Sequence, residues 1–257
     1  MPRAALVTGS TSGIGLGIAT ALAGAGYDVM LNGFGTEAEI AALVSSLSSH
    51  GVRVSHHPAD MSDPAQVAAL VEATVSAFGR LDVLVNNAGI QHVARTEDFP
   101  AERWDAVISI NLSAAFHATK AALPHMQRRG WGRIINIAST HGRVGSEGKC
   151  AYVAAKHGLI GLTKVVALEN ANAGITANAI CPGWVETALV QRQVAARALE
   201  GGISEAEAAE RLVGEKQPMK RFTRPSSVGA LAVFLCSDAA ETITGSEQVI
   251  DGGWTAQ

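Results

Sequence analysis

The chain has 257 residues, a formal net charge of -3, and 47% hydrophobic against 17% charged residues. This is enough apolar material for one large α/β domain, and it gives no basic field for nucleic acid or an anionic membrane. Uninterrupted apolar runs such as "GALAVFLC" (229–236) fall far short of the roughly 20 residues of a bilayer crossing, so no membrane association is expected.

The start, "MPRAALVTGS", enters a strand pattern at once and lacks a signal-peptide layout. Cys150, Cys181 and Cys236 are scattered without metal-ligand spacing, which predicts a cytoplasmic protein with no metal site. Short apolar runs then alternate with amphipathic stretches. Strands are predicted over 4–9, 28–34, 53–59, 81–87, 132–139, 175–183 and 247–253. Most are continuously apolar, as in a parallel sheet buried on both faces. The helix at 62–79 has Asp63 as its predicted N-cap and Pro64 in its first turn. The whole chain, 1–257, reads as one domain: a doubly wound, seven-stranded parallel sheet with helices on both faces. The segment 184–226 breaks the rhythm with two helical patterns, many charges and no strand, and is expected to form a helical lid.

The first strand runs into "TGSTSGIG" (8–15), where Gly9, Gly13 and Gly15 precede a helix. Strand, glycines and helix in this order suit a Rossmann-like phosphate cradle, with a pyrophosphate resting on the helix N-terminus, although the glycines alone also suit an ordinary turn. The second strand ends in "NGFGTE" (32–37) and lacks the acid that usually reads a ribose 2′-hydroxyl. Between Arg3 and Arg53 there is no Lys or Arg to meet a 2′-phosphate, so NAD is expected over NADP. Phe34 suits either an adenine wall or the end of a buried strand.

Tyr152, one of two tyrosines, precedes Lys156 by four residues, which puts both on one helix face. An ammonium beside a phenol favours the phenolate and brings its pKa, near ~10 when free, toward the working range. The same spacing also suits a half-buried Tyr beside a solvated Lys.

The series "TGSTSGIG", "NNAG" (86–89), Asn111, Ser139 in "IINIAST", "YVAAK" (152–156) and "CPGW" (181–184) resembles the short-chain dehydrogenase/reductase family across the whole chain. The resemblance implies a catalytic tetrad of Asn111, Ser139, Tyr152 and Lys156. Tyr152 would be the base, Ser139 would orient the reacting oxygen, Lys156 would lower the Tyr152 pKa, and Asn111 would hold a relay water. It also implies that Gly9, Thr11, Gly13, Ile14, Gly15, Phe34, Asp60, Met61, Asn87, Ala88, Gly89, Pro182, Gly183, Val185 and Thr187 line the cofactor, with Tyr152 and Lys156. Asp60 would lie at the adenine edge, although "ADMSD" also reads as a turn and helix cap. A homotetramer follows from the same resemblance, paired through the helices at 101–129 and 152–172.

Gln91, His141, Lys149 and Gln193 form a polar set with one cation, which suits a small carboxylate. Lys149 stands three residues before Tyr152, so a carboxylate held there would sit a short way from the reacting hydroxyl, as in a 3-hydroxy acid. Trp184 would wall a methyl group, and Trp254 suits either the pocket or a subunit contact. Within the family, "NAGIQHV", "ASTHGRVGSEGKCAYVAAKHG", "ICPGWVET", "EKQP" and "DGGWTAQ" resemble the bacterial dehydrogenases that act on D-3-hydroxybutyrate. That likeness implies that Gln91, His141, Lys149 and Gln193 hold the substrate carboxylate. Taken singly, each of the four also suits a surface, loop or capping side chain.

Overall fold

The computed structural model describes residues 2–256. Its seven strands are β1 (Ala4–Val7), β2 (Asp28–Asn32), β3 (Val54–His57), β4 (Val83–Asn86), β5 (Gly132–Ile137), β6 (Ile175–Pro182) and β7 (Glu247–Ile250). They form one sheet in the order β3-β2-β1-β4-β5-β6-β7, every neighbouring pair parallel. The order reverses between β1 and β4. At such a switch point the connections leave in opposite directions and open a crevice beyond the carboxyl ends of the strands.

The helices are α1 (Gly13–Gly24), α2 (Glu37–Ser48), α3 (Pro64–Phe78), α4 (Ala101–Ile108), α5 (Ala114–Gln127), α6 (Cys150–Glu169), α7 (Ala188–Gly201), α8 (Glu205–Gly214) and α9 (Pro225–Cys236). Strand alternation divides the core between the two faces. Ala4 and Leu6 of β1 pack with α3 and α5, while Ala5 and Val7 pack with α1 and α9. Asp63 caps α3 by accepting from Ala65 and Gln66 N–H, with Pro64 at the first helical position, as predicted.

The membrane expectation rested on uninterrupted runs and needs one amendment. Helix α6, at 20 residues, is long and apolar enough to cross a bilayer by length and composition. It serves here as a core helix against β6, with Leu159, Val166 and Ala167 buried. Helices α7 and α8 fill the 184–226 interval as predicted, and build a small core of their own from Val194, Ala198, Ala208 and Leu212.

Candidate active site

The crevice begins at the glycine loop after β1. Gly9 and Gly13 have φ of 61° and 55°, in the left-handed region that favours glycine. Gly15 answers a different demand: a Cβ there would strike the Gly9 carbonyl and come within 2.5 Å of Asn87 Nδ2. The loop is held by Asn32, which accepts from Gly9 N–H at 3.1 Å and donates to the His57 and Ala59 carbonyls. Thr8 Oγ1 accepts from Asn87 and Ala88 N–H, which joins the ends of β1 and β4. Ser12 stands at the N-cap of α1 without a side-chain cap hydrogen bond, whereas α2, α3, α7 and α8 are all capped by side chains. An uncapped helix start beside positive-φ glycines suits a phosphate, so these residues fit a dinucleotide.

Of the other predicted cofactor residues, Thr187 caps α7, and its methyl would lie 3.4 Å from a Cβ on Gly13. Phe34 is 69% exposed, so it is not the buried strand-end residue that the sequence also allowed. Asp60 does serve as a turn, since Oδ1 accepts from both Ser62 N–H and its hydroxyl at 2.8 Å. Met61, Pro182 and Val185 are buried, while Thr11, Ile14, Asn87, Ala88 and Gly183 are partly exposed along the crevice.

Asn86 donates to Asn136 at 2.8 Å, and Asn136 to Thr163 at 2.8 Å, so buried amides tie β4 and β5 to α6. This fixes the helix that carries the Tyr–Lys pair against the end of β5, where Ser139 follows. The Ser139 hydroxyl accepts from His141 N–H at 3.1 Å and hydrogen-bonds Tyr152. Burial raises the Tyr152 pKa, and the Ser139 hydrogen bond only partly opposes it. Lys156 is 4% exposed, its Nζ donates to the Ile137 carbonyl at 2.7 Å, and it lies 5.5 Å from the centre of the Tyr152 ring. Burial pulls the Lys156 pKa down to about 8. The expected lowering of the phenol by Lys156 is therefore not the resting state, in which desolvation dominates.

Asn111 stands on the segment before α5. It sits in a π-helical segment, Ser109–Ser113, between α4 and α5, a bulge of the kind that turns a side chain inward. Its amide accepts from Ile90 N–H at 2.8 Å and donates to the Ile90 carbonyl at 2.9 Å. It thus clamps the loop after β4, and a Cβ on Gly89 would lie 3.3 Å from its oxygen.

Beside this group, Lys149 Nζ lies 3.4 Å from His141 Nε2. The His141 ring meets Trp254 edge-on at 5.2 Å and Tyr152 at 6.2 Å. Trp254 therefore belongs to the His141–Tyr152 cluster. Burial, then the charges of Lys149 and Lys216, push His141 down to about 4, so the imidazole is neutral. Burial lowers Lys149 as well. Among the described residues Lys149 has no carboxylate partner, and His141 Nδ1 has no hydrogen-bond partner. Gln91 and Gln193 are exposed, outside this hydrogen-bonded cluster. Trp184 packs on the core of α7 and α8, with its indole nitrogen buried and unpartnered. Among the described residues no His/Cys/Asp/Glu group could hold a metal, and the cysteines are free.

Comparison with known proteins agrees with this geometry. The family model described as enoyl-(acyl carrier protein) reductase matches residues 9–255. The D-beta-hydroxybutyrate dehydrogenase of Cupriavidus necator is 58% identical over 99% of this chain and 98% of its own. That of Rhizobium meliloti is 51% identical over the full length of both. The chain belongs to the short-chain dehydrogenase/reductase family. A crystal structure of an actinorhodin polyketide ketoreductase variant with NADPH has a TM-score of 0.91 and 37% identity, covering 100% of this chain and 98% of its own.

A short-chain dehydrogenase/reductase is an oxidoreductase that uses a nicotinamide dinucleotide and a small-molecule substrate. The glycine crevice and the Ser139–Tyr152–Lys156 group meet that description at the carboxyl edge of the sheet. Sequence reasoning passed over Asn32, Thr8, Lys216 and the Asn86–Asn136–Thr163 chain. The one visible signal was polar residues placed at the ends of otherwise apolar strands, as in "DVMLN" and "RIINI".

Proposed function

We propose that this short-chain dehydrogenase/reductase interconverts (R)-3-hydroxybutyrate and acetoacetate with NAD. The observation that carries the reading is Lys149, a half-desolvated cation without a carboxylate partner, beside neutral His141 and next to Tyr152. A substrate carboxylate would supply the missing counter-charge. Both D-beta-hydroxybutyrate dehydrogenase relatives align over the whole chain, which supports the same substrate.

When bound, the oxidised nicotinamide supplies the hydride acceptor and a positive charge in the cleft. Once the phenol's own proton has left to solvent, the Tyr152 phenolate oxygen takes the proton of the substrate hydroxyl, and the Ser139 hydroxyl holds the reacting oxygen. Lys156, anchored by the Ile137 carbonyl, keeps a cation beside the ring as the phenol ionises. Asn111 holds the loop carrying Asn87, Ala88 and Gly89 at the cofactor face. Lys149 and His141 bind the carboxylate, Trp254 closes that side, and Trp184 faces the methyl end. Gln91 and Gln193 join when α7 and α8 fold over the cleft as a lid.

NAD is favoured over NADP by the tip of β2. Arg53, the next cation after Arg3, pairs with Asp28 at the opposite end of that strand, 2.6 Å away. Near the tip lies the Glu39 carboxylate, which accepts from Thr36 N–H in a capping box and is held below the usual carboxylate range by those bonds. A 2′-phosphate would meet this anion and no free cation. A cytoplasmic homotetramer completes the reading. Exposed Phe116, Val165 and Leu168 on α5 and α6 support pairing through those helices.

The test is an absorbance assay for reduced nicotinamide. Turnover of (R)-3-hydroxybutyrate with NAD is expected. A 3-oxoacyl thioester reduced with NADPH, and no turnover of the hydroxy acid, would instead make the chain a thioester reductase.

A further inference from the structure

Gln217 follows α8, in the return from the lid to the sheet, and is fully buried. Its side-chain oxygen accepts from Trp184 N–H at 2.5 Å, and its side-chain nitrogen donates to the Arg221 carbonyl at 2.8 Å. Two glycines make room for it. A Cβ on Gly183 would overlap the amide oxygen, and one on Gly252 would come within 2.9 Å of the amide nitrogen. One amide therefore joins three segments: the turn after β6 that carries Trp184, the lid return, and the turn after β7 that leads to Trp254.

Trp184 is held from its other side as well. Its carbonyl accepts from Thr223 N–H at 2.9 Å, and Glu186 N–H donates to the Thr223 carbonyl at 2.9 Å. The Val185–Thr223 bridge is thus a short two-stranded base from which α7 and α8 project. Gln217 supplies the remaining hydrogen bond to the Trp184 backbone. Trp184 in turn packs on the lid's own core. The position of the indole is set jointly by the lid and by this amide.

We infer that Gln217 is a positioning residue that sets substrate chain-length selection by fixing Trp184 to the root of the lid. The inference rests on the reading of a small 3-hydroxy acid with its alkyl end toward Trp184. Gln217 touches neither substrate nor cofactor. An apolar side chain of similar size would leave the part-buried Trp184 N–H and Arg221 carbonyl without these partners, so the turn must shift to find new ones. The wall would then move while Tyr152, Ser139 and Lys156 keep their own anchors.

The experiment compares (R)-3-hydroxybutyrate with (R)-3-hydroxyvalerate, which is one methylene longer. A methylene in an apolar pocket is discriminated by about tenfold or more, and that preference is expected in the parent. Gln217→Leu should reduce the preference at least about threefold, mainly through KM for the shorter acid, with little change in KM for NAD. Gln217→Glu separates positioning from general damage. A protonated carboxyl there accepts from Trp184 and donates to Arg221 as the amide does, whereas an ionised one cannot donate. Its chain-length preference should be parental at low pH and fall as pH rises, a dependence absent from the parent.

An activity-independent measurement accompanies these: hydrogen exchange at residues 183–186 should accelerate in Gln217→Leu. If the parent oxidises neither acid, the substrate reading falls, and exchange alone then decides the role of Gln217. Parental chain-length preference together with unchanged exchange in a folded Gln217→Leu would overturn the inference. If that variant does not fold, a pH-independent preference in Gln217→Glu would do the same.

Discussion

Lys156 Nζ donates to the Ile137 carbonyl at 2.7 Å, which ties the ammonium to the end of β5 and holds it 5.5 Å from the centre of the Tyr152 ring. The carbonyl gives this buried cation a fixed hydrogen-bond partner, and the phenol above it stays protonated at rest because burial raises its pKa. A phenol in this setting loses its proton easily only once further positive charge enters the cleft, as the proposed role of Tyr152 as base requires.

Tyr152→Phe isolates that function. The ring keeps its packing beside Lys156 and His141 and loses only Oη, so kcat should fall by about 10²–10⁴-fold while NAD still binds. Steady-state rates and NAD titration measure the two effects. Retention of most activity would remove Tyr152 as the base.

The pH profile bears on His141. Its pKa of about 4 keeps the ring neutral at any pH well above that value and charges it only below. Any rise in kcat/KM with pH well above that value should therefore stay where it is in His141→Gln, with KM for the hydroxy acid raised roughly two- to tenfold for a lost neutral hydrogen bond. A limb that moves or disappears in this variant would show that the imidazole titrates in the working range.

Cofactor choice follows from the tip of β2. Adding a phosphate beside Glu39, with Arg53 occupied by Asp28, should cost NADP roughly ten- to more than a hundred-fold in kcat/KM, the scale of one charged hydrogen bond. Phe34→Arg places a cation at that exposed position and should narrow the gap. Equal efficiency with both cofactors in the parent would contradict the NAD assignment.

Gly15→Ala tests the crevice itself. The added methyl would strike the Gly9 carbonyl and Asn87 Nδ2, so the loop must move. An atomic displacement of about 1 Å can cost ~10²-fold, and KM for NAD should rise well before the hydroxy-acid site is affected. Unchanged kinetics would mean that the glycine loop lies away from the cofactor.

The sheet was readable in the sequence because buried parallel strands are continuous apolar runs, and β1 to β7 fall within the predicted spans. Tyr152 and Lys156 were visible as a pair because their four-residue spacing is local, but that spacing alone left a structural pair open, and Ser139 was found by resemblance. Asn111 was found by resemblance, but its clamp on Ile90 depends on a π-bulge that no periodicity announces. Gln217 was invisible for a similar reason. Its partners, Trp184 and Arg221, meet only after two helices have folded back, and a lone Gln among charges reads as a surface residue. Trp184 was read as a pocket wall, and its second contact with the lid core depends on the same fold-back.

Lys149→Ala tests most directly whether the cleft recognises a small carboxylate. A hydrogen bond to a charged group contributes about 1.5–3 kcal/mol, so KM for (R)-3-hydroxybutyrate should rise roughly ten- to more than a hundred-fold. KM for NAD should hardly change, because Lys149 lies beside His141 and away from the glycine loop. The methyl ester of the substrate, which carries no charge, should be poor with the parent and lose little more in the variant. Equal losses for acid and ester, or a large fall in NAD affinity, would contradict the account and leave Lys149 as a structural residue of α6.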